Sequence, residues 1–500
     1  MARTARDLPL MFLLMGIGAG AMYVPAIHAL VLGQYQVGRA FLYSGTLLLV
    51  LTGMIWLAWA NRRPRNVALS QFYALVGAYV VMPPLLAVPM LEAVEGMSML
   101  DAWFEMVSAF TTTGASLRPP EALPPPVHLW RALVGWFGGF FVLVGAATIL
   151  APMNLGGFEL LADAPPGRPG SDGPDPAERL RGYALRILPV YGGLTLVLWI
   201  ILVAAGEGPF VALCHAMGTL STSGISPVGG FEGGSASDWA EGAILVGLCL
   251  ALTRRSLPGA VRVAHDEPLW RDPELRLAVV IVGGAAAVLL AHHLLGLVGA
   301  GKPVDLLEVL AAAWAMLFTA LSFLTTTGYL PQGWTGIEAG GGIGTPVVLL
   351  LGLAIVGGGV ATTTGGVRLL RVHALARMSV HEIERLAQPS SVARNGGARQ
   401  MRRAPLAFVV FMLYALGLGI FCALLSIAGA DFEASVVMSV AALSTAGQLA
   451  DIAAQSGGGF AELGAAGRTI AALAMIVGRL ETLAFLTLAL PRGGYRWTRL

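Results

Sequence analysis

Hydrophobic stretches long enough to cross a membrane recur along the whole chain, separated by short polar segments. Because a helix needs ~20 mostly apolar residues to cross a bilayer, this pattern predicts ten membrane-spanning helices. The first stretch has no small-residue cleavage pattern and is followed directly by another, so we expect a retained helix and not a signal peptide. The predicted spans are 8–30, 41–60, 69–91, 129–150, 187–205, 241–252, 277–298, 347–356, 406–428 and 470–490.

A second kind of apolar segment follows the third, fifth, seventh and ninth spans. In the first of these, 101–116, about ten helical residues precede a Thr-Thr-Thr-Gly stretch, which is too short to cross a bilayer. The equivalent segments 210–225, 306–329 and 432–449 also carry Thr or Ser close before a glycine. The four glycines recur roughly every 110 residues, a spacing that suits the internal repeats of membrane transport proteins. They are Gly114, Gly224, Gly328 and Gly447.

The two kinds of segment together predict the fold class. We expect an all-α polytopic membrane protein with four pseudo-symmetric helix–pore loop–helix repeats around one central pore, plus two extra N-terminal transmembrane helices. The predicted boundaries are 1–65 for the two N-terminal helices, 66–157 for the first repeat, 158–185 for a cytoplasmic loop, 186–262 for the second repeat, 263–371 for the third, 372–404 for a basic cytoplasmic segment and 405–500 for the fourth repeat.

Composition and charge support a membrane location. Only 12% of the residues are charged and 56% are hydrophobic, whereas soluble domains contain ~25% charged residues, so a soluble fold is excluded. Most of the 31 Lys and Arg residues lie in alternate loops. The positive-inside rule then predicts that both termini are cytoplasmic, with an even number of spans between them.

The four short loops predict a pore for cations. Non-helical backbone is tolerated at membrane depth only where protein or a water-filled path surrounds it. Glycine allows a loop to turn its carbonyl oxygens inward, and rings of carbonyls form the filters of K+ channels. Each half-helix also directs the negative end of its dipole at the path. The candidate filter residues are Thr112, Thr113, Gly114, Thr222, Ser223, Gly224, Thr326, Thr327, Gly328, Thr445, Ala446 and Gly447.

The alternative for any single loop is an ordinary helix C-cap, which a Thr-Gly or Ser-Gly pair often forms. Four copies in register, each on the same predicted external side, argue against that interpretation. A fifth Thr-Thr-Thr-Gly stretch at 362–365 follows the predicted span 347–356 on its cytoplasmic side, so we do not expect it to be a filter.

The segment 357–366 predicts an interruption of the third outgoing helix. Its ten residues include five glycines, each costing ~1 kcal/mol relative to alanine in a helix, and discontinuous helices mark moving parts of transporters. We interpret it as a gate below the filter, with a frayed helix end as the alternative. Arg479, inside the last span, is expected to donate to this unwound backbone, and the alternatives are snorkelling or pairing with Glu481. The candidate gate residues are Gly357, Gly358, Gly359, Gly365, Gly366 and Arg479.

Acidic residues near the starts of the half-helices are expected to concentrate cations at the outer mouth. For Asp101 and Asp431, N-capping of a helix is an equally good explanation. The set consists of Asp101, Glu105, Glu207, Asp305, Glu308, Asp431 and Glu433.

The segments 101–116, 129–139, 357–371 and 478–481 resemble the Trk/Ktr/HKT superfamily of K+ transporters, and within it the bacterial TrkH/TrkG branch, over nearly the whole chain. The resemblance implies K+ uptake through the bacterial inner membrane, a homodimer with one pore per subunit, and a cytosolic nucleotide-binding regulatory ring of the TrkA type. The family's filter glycines match the four repeat glycines, its intramembrane gate matches 357–366, and the arginine partner of that gate matches Arg479.

Two departures and two alternatives remain. The fourth loop continues into Gln448, which is more polar than the family pattern, and the segment 162–177 has no assigned role.

The first alternative function is a less selective or Na+/H+-coupled monovalent cation permease. The second, an intramembrane enzyme, lacks paired catalytic groups within the spans. K+ is the expected transported ion, with no organic cofactor and no nucleic acid partner. The basic stretch 368–403 is expected to bind the regulatory ring or to meet anionic lipid.

Overall fold

The computed structural model describes residues 10–59, 67–150, 176–231, 237–253, 271–299, 301, 305–332, 334, 347–387, 404–454 and 459–480. Within these ranges the chain forms helices joined by loops, with no β-strand, as predicted for the fold class. The helices are α1 (Leu10–Ala21), α2 (Tyr23–Val31), α3 (Tyr35–Trp59), α4 (Val67–Ala87), α5 (Met90–Ala93), α6 (Met99–Phe110), α7 (Pro125–Gly145), α8 (Pro176–Ala204), α9 (Pro209–Ser221), α10 (Asp238–Cys249), α11 (Pro273–Gly299), α12 (Leu306–Leu324), α13 (Val347–Val356), α14 (Leu369–Ala387), α15 (Ala404–Ile427), α16 (Phe432–Leu443), α17 (Gln448–Ala454) and α18 (Ala465–Leu480).

In the described part of the chain, eight helical stretches are long and apolar enough to cross a membrane. Seven of them coincide with predicted spans. The predicted spans at 241–252 and 347–356 correspond to shorter helices, as their lengths suggested, and the last span is described only through Leu480. The remainder of that span, 481–490, lies outside the described residues, as do 151–175 and 388–403.

The eighth long helix is α12, which we predicted to be a pore helix like the other three. It is 19 residues long, whereas α6, α9 and α16 have 12, 13 and 12. Its large exposed apolar side chains lie between Leu306 and Leu317, and from Phe318 onward it is buried. The extra turns are therefore at the outer end, and only the inner half corresponds to the shorter pore helices.

Two helices extend beyond what hydropathy predicted. α8 begins at Pro176 and not at 187, so part of the predicted loop 158–185 is helical. α14 covers part of the segment predicted only as basic and cytoplasmic. Polar helical turns carry no hydropathy signal, which explains both differences. Arg368 and Arg371, expected on a docking surface, are instead only 5% and 1% exposed.

The pore helices form the interior and the other helices surround them. Large apolar side chains are exposed along α3, α8, α11 and α15, as expected for helices that face lipid. The outgoing helices approach the pore helices closely through glycine. A Cβ atom at Gly138 of α7 would overlap the carbonyl of Phe110, and one at Gly478 of α18 would overlap that of Leu443. Phe110 and Leu443 are the last residues of their pore helices, so the first and fourth repeats pack equivalently.

Candidate ion pathway and gate

All four pore helices end in the same turn. In each, the third residue of the loop donates its backbone N–H to the carbonyl five residues earlier, inside the pore helix. We name the segments loop 1 (111–114), loop 2 (221–224), loop 3 (325–328) and loop 4 (444–447). The four hydrogen bonds are Thr113 to Ser108 at 2.8 Å, and Ser223 to Gly218, Thr327 to Ser322 and Ala446 to Ala441 at 2.9 Å.

The threonine at the second position of each loop has left-handed backbone. The φ angles are +57° for Thr112, +52° for Thr222, +58° for Thr326 and +54° for Thr445. A β-branched residue rarely adopts this conformation, and such strain is concentrated at functional sites. Among the described residues, the buried hydroxyls of Thr112, Thr222 and Thr445 have no hydrogen-bond partner. Three hydroxyl oxygens without a protein partner in the described part of the chain therefore lie at equivalent positions of their loops.

The glycines close the loops into a ring. Gly114, Gly224 and Gly328 have φ angles of +76°, +61° and +78°. A Cβ atom at Gly114 would overlap the Ser223 carbonyl of loop 2, and one at Gly224 would overlap the Thr327 carbonyl of loop 3. Gly114 and Gly224 thus allow the backbone of the next loop to pass against them. The sequence separates the loops by a hundred residues, and the fold brings them together.

Loop 4 completes the ring differently. Gly447 has no positive φ, and its N–H donates to the Thr113 carbonyl of loop 1 at 2.8 Å. The side chain of Gln448 fills the space beside Gly114, Gly224 and Gly328. Its Nε2 donates to the Ser223 carbonyl at 3.1 Å.

Hydroxyl pairs stabilise loops 1 to 3 but not loop 4. The first and third residues of these loops share a side-chain hydrogen bond. Loop 4 has Ala446 at its third position, so Ser444 shares a hydrogen bond with Tyr414 of α15 at 2.6 Å instead. The three pairs are Thr111–Thr113 at 2.8 Å, Ser221–Ser223 at 2.9 Å and Thr325–Thr327 at 3.1 Å.

Buried carboxylates hold the segments that follow the loops. Glu105 forms an ion pair with Arg131 at 2.8 Å and accepts from the Leu117 N–H at 2.7 Å. Glu241 accepts from the Gln332 N–H at 2.6 Å and from Trp314 at 2.7 Å. Each carboxylate therefore ties the chain after a glycine to a neighbouring helix.

Behind loop 2 the carboxylate acts through a histidine. Glu207 Oε1 and His215 Nδ1 are 2.6 Å apart, and His215 Nε2 is 2.8 Å from the Ser226 hydroxyl. Glu207 and His215 are 2% and 0% exposed, so these two side chains brace the loop from inside the protein.

The acidic residues predicted at the outer mouth have divided roles. Glu105 and Glu207 are buried in the contacts just described, and Asp101 pairs with Arg468. The N-cap of α6 is Ser98, which accepts from the Asp101 N–H, so the N-cap prediction for Asp101 is wrong. Asp431 occupies the N-cap position of α16 without a side-chain cap hydrogen bond. Sequence reasoning could not anticipate partners that lie on distant helices.

A recess of about 390 Å³ opens beside the ring of glycines. Its lining includes Gly114, Gly224, Gly328, Gln448 and Asp451. Asp451 lies in the short helix α17, outside the membrane-spanning helices, where it lines the recess and is partly open to solvent. Desolvation raises the pKa of its carboxyl, nearby Arg131 opposes the rise and Glu105 adds to it.

The predicted break in the third outgoing helix is present. Helix α13 ends at Val356 and α14 begins at Leu369. The intervening segment 357–368, which we name the gate loop after its predicted role, folds back on itself, because Val367 and Arg368 donate to the Ile355 and Val356 carbonyls, both at 2.8 Å.

The gate loop lies against loops 3 and 4. The Gly365 N–H donates to Thr326 Oγ1 of loop 3 at 3.0 Å. A Cβ atom at Gly365 would overlap the Ser444 carbonyl of loop 4. The stretch 362–365, excluded above as a filter, is therefore the part of the gate loop that touches the ring.

Two contacts hold the other end of the gate loop. The Gly359 N–H donates to the Ala251 carbonyl at 3.1 Å, and the Val360 N–H donates to Glu274 Oε1 at 3.0 Å. Glu274 is fully buried at the start of α11. Sequence reasoning missed it, since a glutamate after Pro273 has the pattern of an ordinary helix start.

Arg479 reaches the gate loop. Its Nη1 donates to the Thr364 carbonyl at 3.4 Å, which is the partner predicted from the sequence. Its Nε and Nη2 have no hydrogen-bond partner among the described residues, and the side chain is 7% exposed. Glu481, the alternative partner, lies outside the described residues.

These features define a polytopic membrane transport protein: four re-entrant loops form a ring, and an unwound segment lies against it. Comparison with known proteins gives the particular family. The model of the TrkH family, described as cation transport protein, matches residues 243–495, just over half of the chain. The chain belongs to the TrkH family, whose members are transporters and not enzymes.

Relatives match over nearly their full lengths. The chain is 28% identical to the Trk system potassium uptake protein TrkH of Vibrio parahaemolyticus, covering 96% of this chain and 97% of that one. It is 27% identical to TrkI of Halomonas elongata, with 90% and 89% covered. The crystal structure of the potassium transporter TrkH from Vibrio parahaemolyticus superposes with a TM-score of 0.77 at 25% identity, covering 98% of this chain and 99% of that one.

Proposed function

We propose that this chain carries K+ into the cell through a selectivity filter formed by loops 1 to 4, and that the gate loop with Arg479 opens and closes the path below it. The observation that carries the proposal is the ring: Gly114 and Gly224 each lie against a carbonyl of the next loop, Gly328 lies against the side chain of Gln448, and Gly447 closes back onto loop 1. The names of the relatives, potassium uptake proteins, support K+ as the ion.

The ring has the chemistry that a cation path needs. The filter residues offer backbone carbonyls and the unpaired hydroxyls of Thr112, Thr222 and Thr445, and oxygen ligands of this kind replace a K+ hydration shell. The C-terminal ends of α6, α9, α12 and α16 lead into the loops. Their negative dipole ends favour a cation over an anion.

The gate proposal is supported by the contacts of the gate loop. Gly365 touches loops 3 and 4, so the loop lies next to the ring and not at the membrane surface. Arg479 adds a positive charge beside it. A buried guanidinium repels an approaching cation, so withdrawal of the loop and the arginine together would open the path.

The location and partners are proposed on the same basis. We infer a bacterial inner-membrane protein with cytoplasmic termini and a homodimer that binds a TrkA-type regulatory ring. We keep the repeat boundaries predicted from the sequence, except that the first helix of the second repeat begins at Pro176. The exposed side of α14, which includes Arg377, is the proposed docking surface, and contact with anionic lipid is the competing role. Docking is supported if the TrkA-type regulatory ring co-purifies with the parent chain and no longer co-purifies with the Arg377→Glu variant. Unchanged co-purification assigns the surface to lipid.

The decisive experiment is complementation followed by reconstitution. A K+-uptake-deficient bacterium that expresses this chain should grow on limiting K+, and proteoliposomes containing it should take up K+ faster than Na+. Failure of both, with the chain correctly inserted, would refute the proposal. Equal K+ and Na+ fluxes, or fluxes that follow an imposed Na+ or H+ gradient, would favour the alternative of a less selective or coupled permease. The departures in loop 4 are the observation that keeps this alternative open.

A further inference from the structure

One polar side chain interrupts the ring of filter glycines. Between loops 1 and 2, and between loops 2 and 3, a glycine lies against a backbone carbonyl. At Gly328 the neighbour is the side chain of Gln448: its Cβ lies 2.7 Å, and its Oε1 2.8 Å, from the position that a Cβ atom on Gly328 would occupy. The side of the ring between loops 3 and 4 is thus formed by a side chain, which can move without refolding of the loop.

The carboxamide of Gln448 reaches across the ring. Its Nε2 atom lies beside Gly114 and Gly224 as well, so the side chain is adjacent to three of the four filter glycines. Nε2 donates to the Ser223 carbonyl at 3.1 Å, and Ser223 is a proposed filter residue. The same residue lines the outer recess. The group therefore lies between the recess and the ring, where an entering ion must pass.

The hydrogen bonding of the carboxamide is incomplete. Oε1 of Gln448 is buried and has no hydrogen-bond partner among the described residues. A buried amide oxygen without a partner is costly, so the observed position is held by the Nε2 contact and by packing. A small gain for another arrangement can displace the side chain.

We propose that Gln448 is an outer gate of the filter, whose amide N–H occupies a carbonyl that otherwise faces the ion. This inference rests on the proposed function, because it assigns a closed state to the filter proposed there. Donation to Ser223 places a partial positive charge where the cation's charge would be. K+ and the amide then compete for the same oxygen, and an ion enters when the side chain swings into the recess.

Competition of this kind predicts the effect of removing the amide. In reconstituted vesicles, Gln448→Ala keeps the backbone and Cβ but has no donor. We expect a higher maximal K+ flux and an apparent KM for K+ that is lower by roughly two- to tenfold, the range that one hydrogen bond represents. Gln448→Glu should act in the same direction, since a carboxylate cannot donate to a carbonyl and its charge attracts cations.

A variant with a shorter amide side chain distinguishes two roles of Gln448, donation of a hydrogen bond to Ser223 and binding of the ion by its own oxygen. Gln448→Asn keeps an amide but is one methylene shorter, so it should no longer reach Ser223 and should behave like the alanine variant. If both variants raise the KM while Gln448→Glu preserves or lowers it, the oxygen of Gln448 is an ion ligand and the gate proposal is wrong. Unchanged kinetics in all three variants would also overturn it.

A matched control exists elsewhere in the chain. Gln34 is also partly buried with an unpartnered Oε1, but it lies between α2 and α3, far along the chain from the filter. Gln34→Ala should leave the flux and the KM unchanged, and equal vesicle incorporation of all variants shows that folding is intact. If the parent chain carries no K+, the proposed function fails. If the parent carries K+ and the Gln448 variants match it, only the outer gate fails.

Discussion

Loops 1 to 3 and loop 4 have the same backbone turn but different side chains and neighbours. Loops 1 to 3 have a hydroxyl pair between their first and third residues and a glycine with positive φ. Loop 4 has Ala446, a glycine without positive φ, and Gln448 directed into the ring. The feature that all four loops share is a hydrogen bond between backbone groups, which does not depend on the side chain at either position. The loops differ in their side chains, where one repeat can change without disturbing the other three.

The largest effect is expected where the ring is made of backbone. Gly114→Ala adds a Cβ atom that overlaps the Ser223 carbonyl and strains a φ of +76°. Left-handed strain costs ~1–2 kcal/mol and the overlap adds to it, so we expect K+ flux to fall more than about tenfold. Uptake in vesicles measures this.

The matching change at Gly328 tests whether loop 4 is different. The three atoms nearest to a Cβ atom at Gly328 all belong to the side chain of Gln448, whereas at Gly114 the nearest atom is a backbone carbonyl oxygen. We expect Gln448→Gly to restore part of the K+ flux of Gly328→Ala and to leave Gly114→Ala unrescued. If Gln448→Gly restores the K+ flux of both glycine variants equally, or of neither, then Gly114 and Gly328 have equivalent surroundings in the ring.

A several-fold effect is expected at the threonine that contacts the gate. Thr326→Val removes the acceptor for the Gly365 N–H, so the gate loop is held less firmly and basal K+ flux should rise about two- to tenfold. Thr112→Val removes a hydroxyl with no protein partner among the described residues and should instead weaken K+ binding. Indistinguishable effects in the two variants would contradict the gate contact.

Arg479 tests the gate from its other side. Arg479→Ala removes the donor to the Thr364 carbonyl and a buried positive charge, so basal K+ flux should rise several-fold while the K+/Na+ flux ratio is unchanged. Loss of all transport in a variant that inserts normally would show that the arginine is structural.

A smaller, pH-dependent effect is expected beside loop 4. Desolvation beside the recess raises the pKa of Asp451 to about 7 from its ordinary value of 3.8, so the carboxyl gains its charge near neutral pH. A negative recess attracts cations, and the KM for K+ should fall about two- to threefold as the pH rises through 7. Asp451→Asn should have a flat profile, and a persisting pH dependence would assign the titration to another group.

The smallest effect is expected from restoring the hydroxyl pair of loop 4. Ala446→Ser gives loop 4 the same first and third residue types as loop 2, so Ser444 can pair within the loop and not with Tyr414. A hydrogen bond contributes about 1 kcal/mol, and we expect a modest gain in the K+/Na+ flux ratio. An unchanged K+/Na+ flux ratio would show that the hydroxyl pair supports the fold of the loop and not its selectivity.

Several features of this protein follow from its sequence alone. Seven long spans, the four loop glycines at a regular spacing and the broken third outgoing helix are all properties of residues near one another in the chain, so local patterns reveal them. The partner of Arg479 was also predictable, because a buried guanidinium needs free acceptors and the glycine-rich segment offers them. The length of α12 and the early start of α8 were not, since hydropathy detects apolar residues and not helices.

Other features exist only in the tertiary structure. The order of the loops around the ring, the contact between Gly365 and Thr326, and the bracing carboxylates Glu105, Glu207 and Glu241 depend on residues brought together from different repeats. The position of Gln448 is the clearest case. Its sequence neighbours show only that a polar residue follows a glycine, whereas packing against three other loops directs its amide to the Ser223 carbonyl of loop 2. Side-chain direction at such a junction depends on the space that distant segments leave, which no local pattern records.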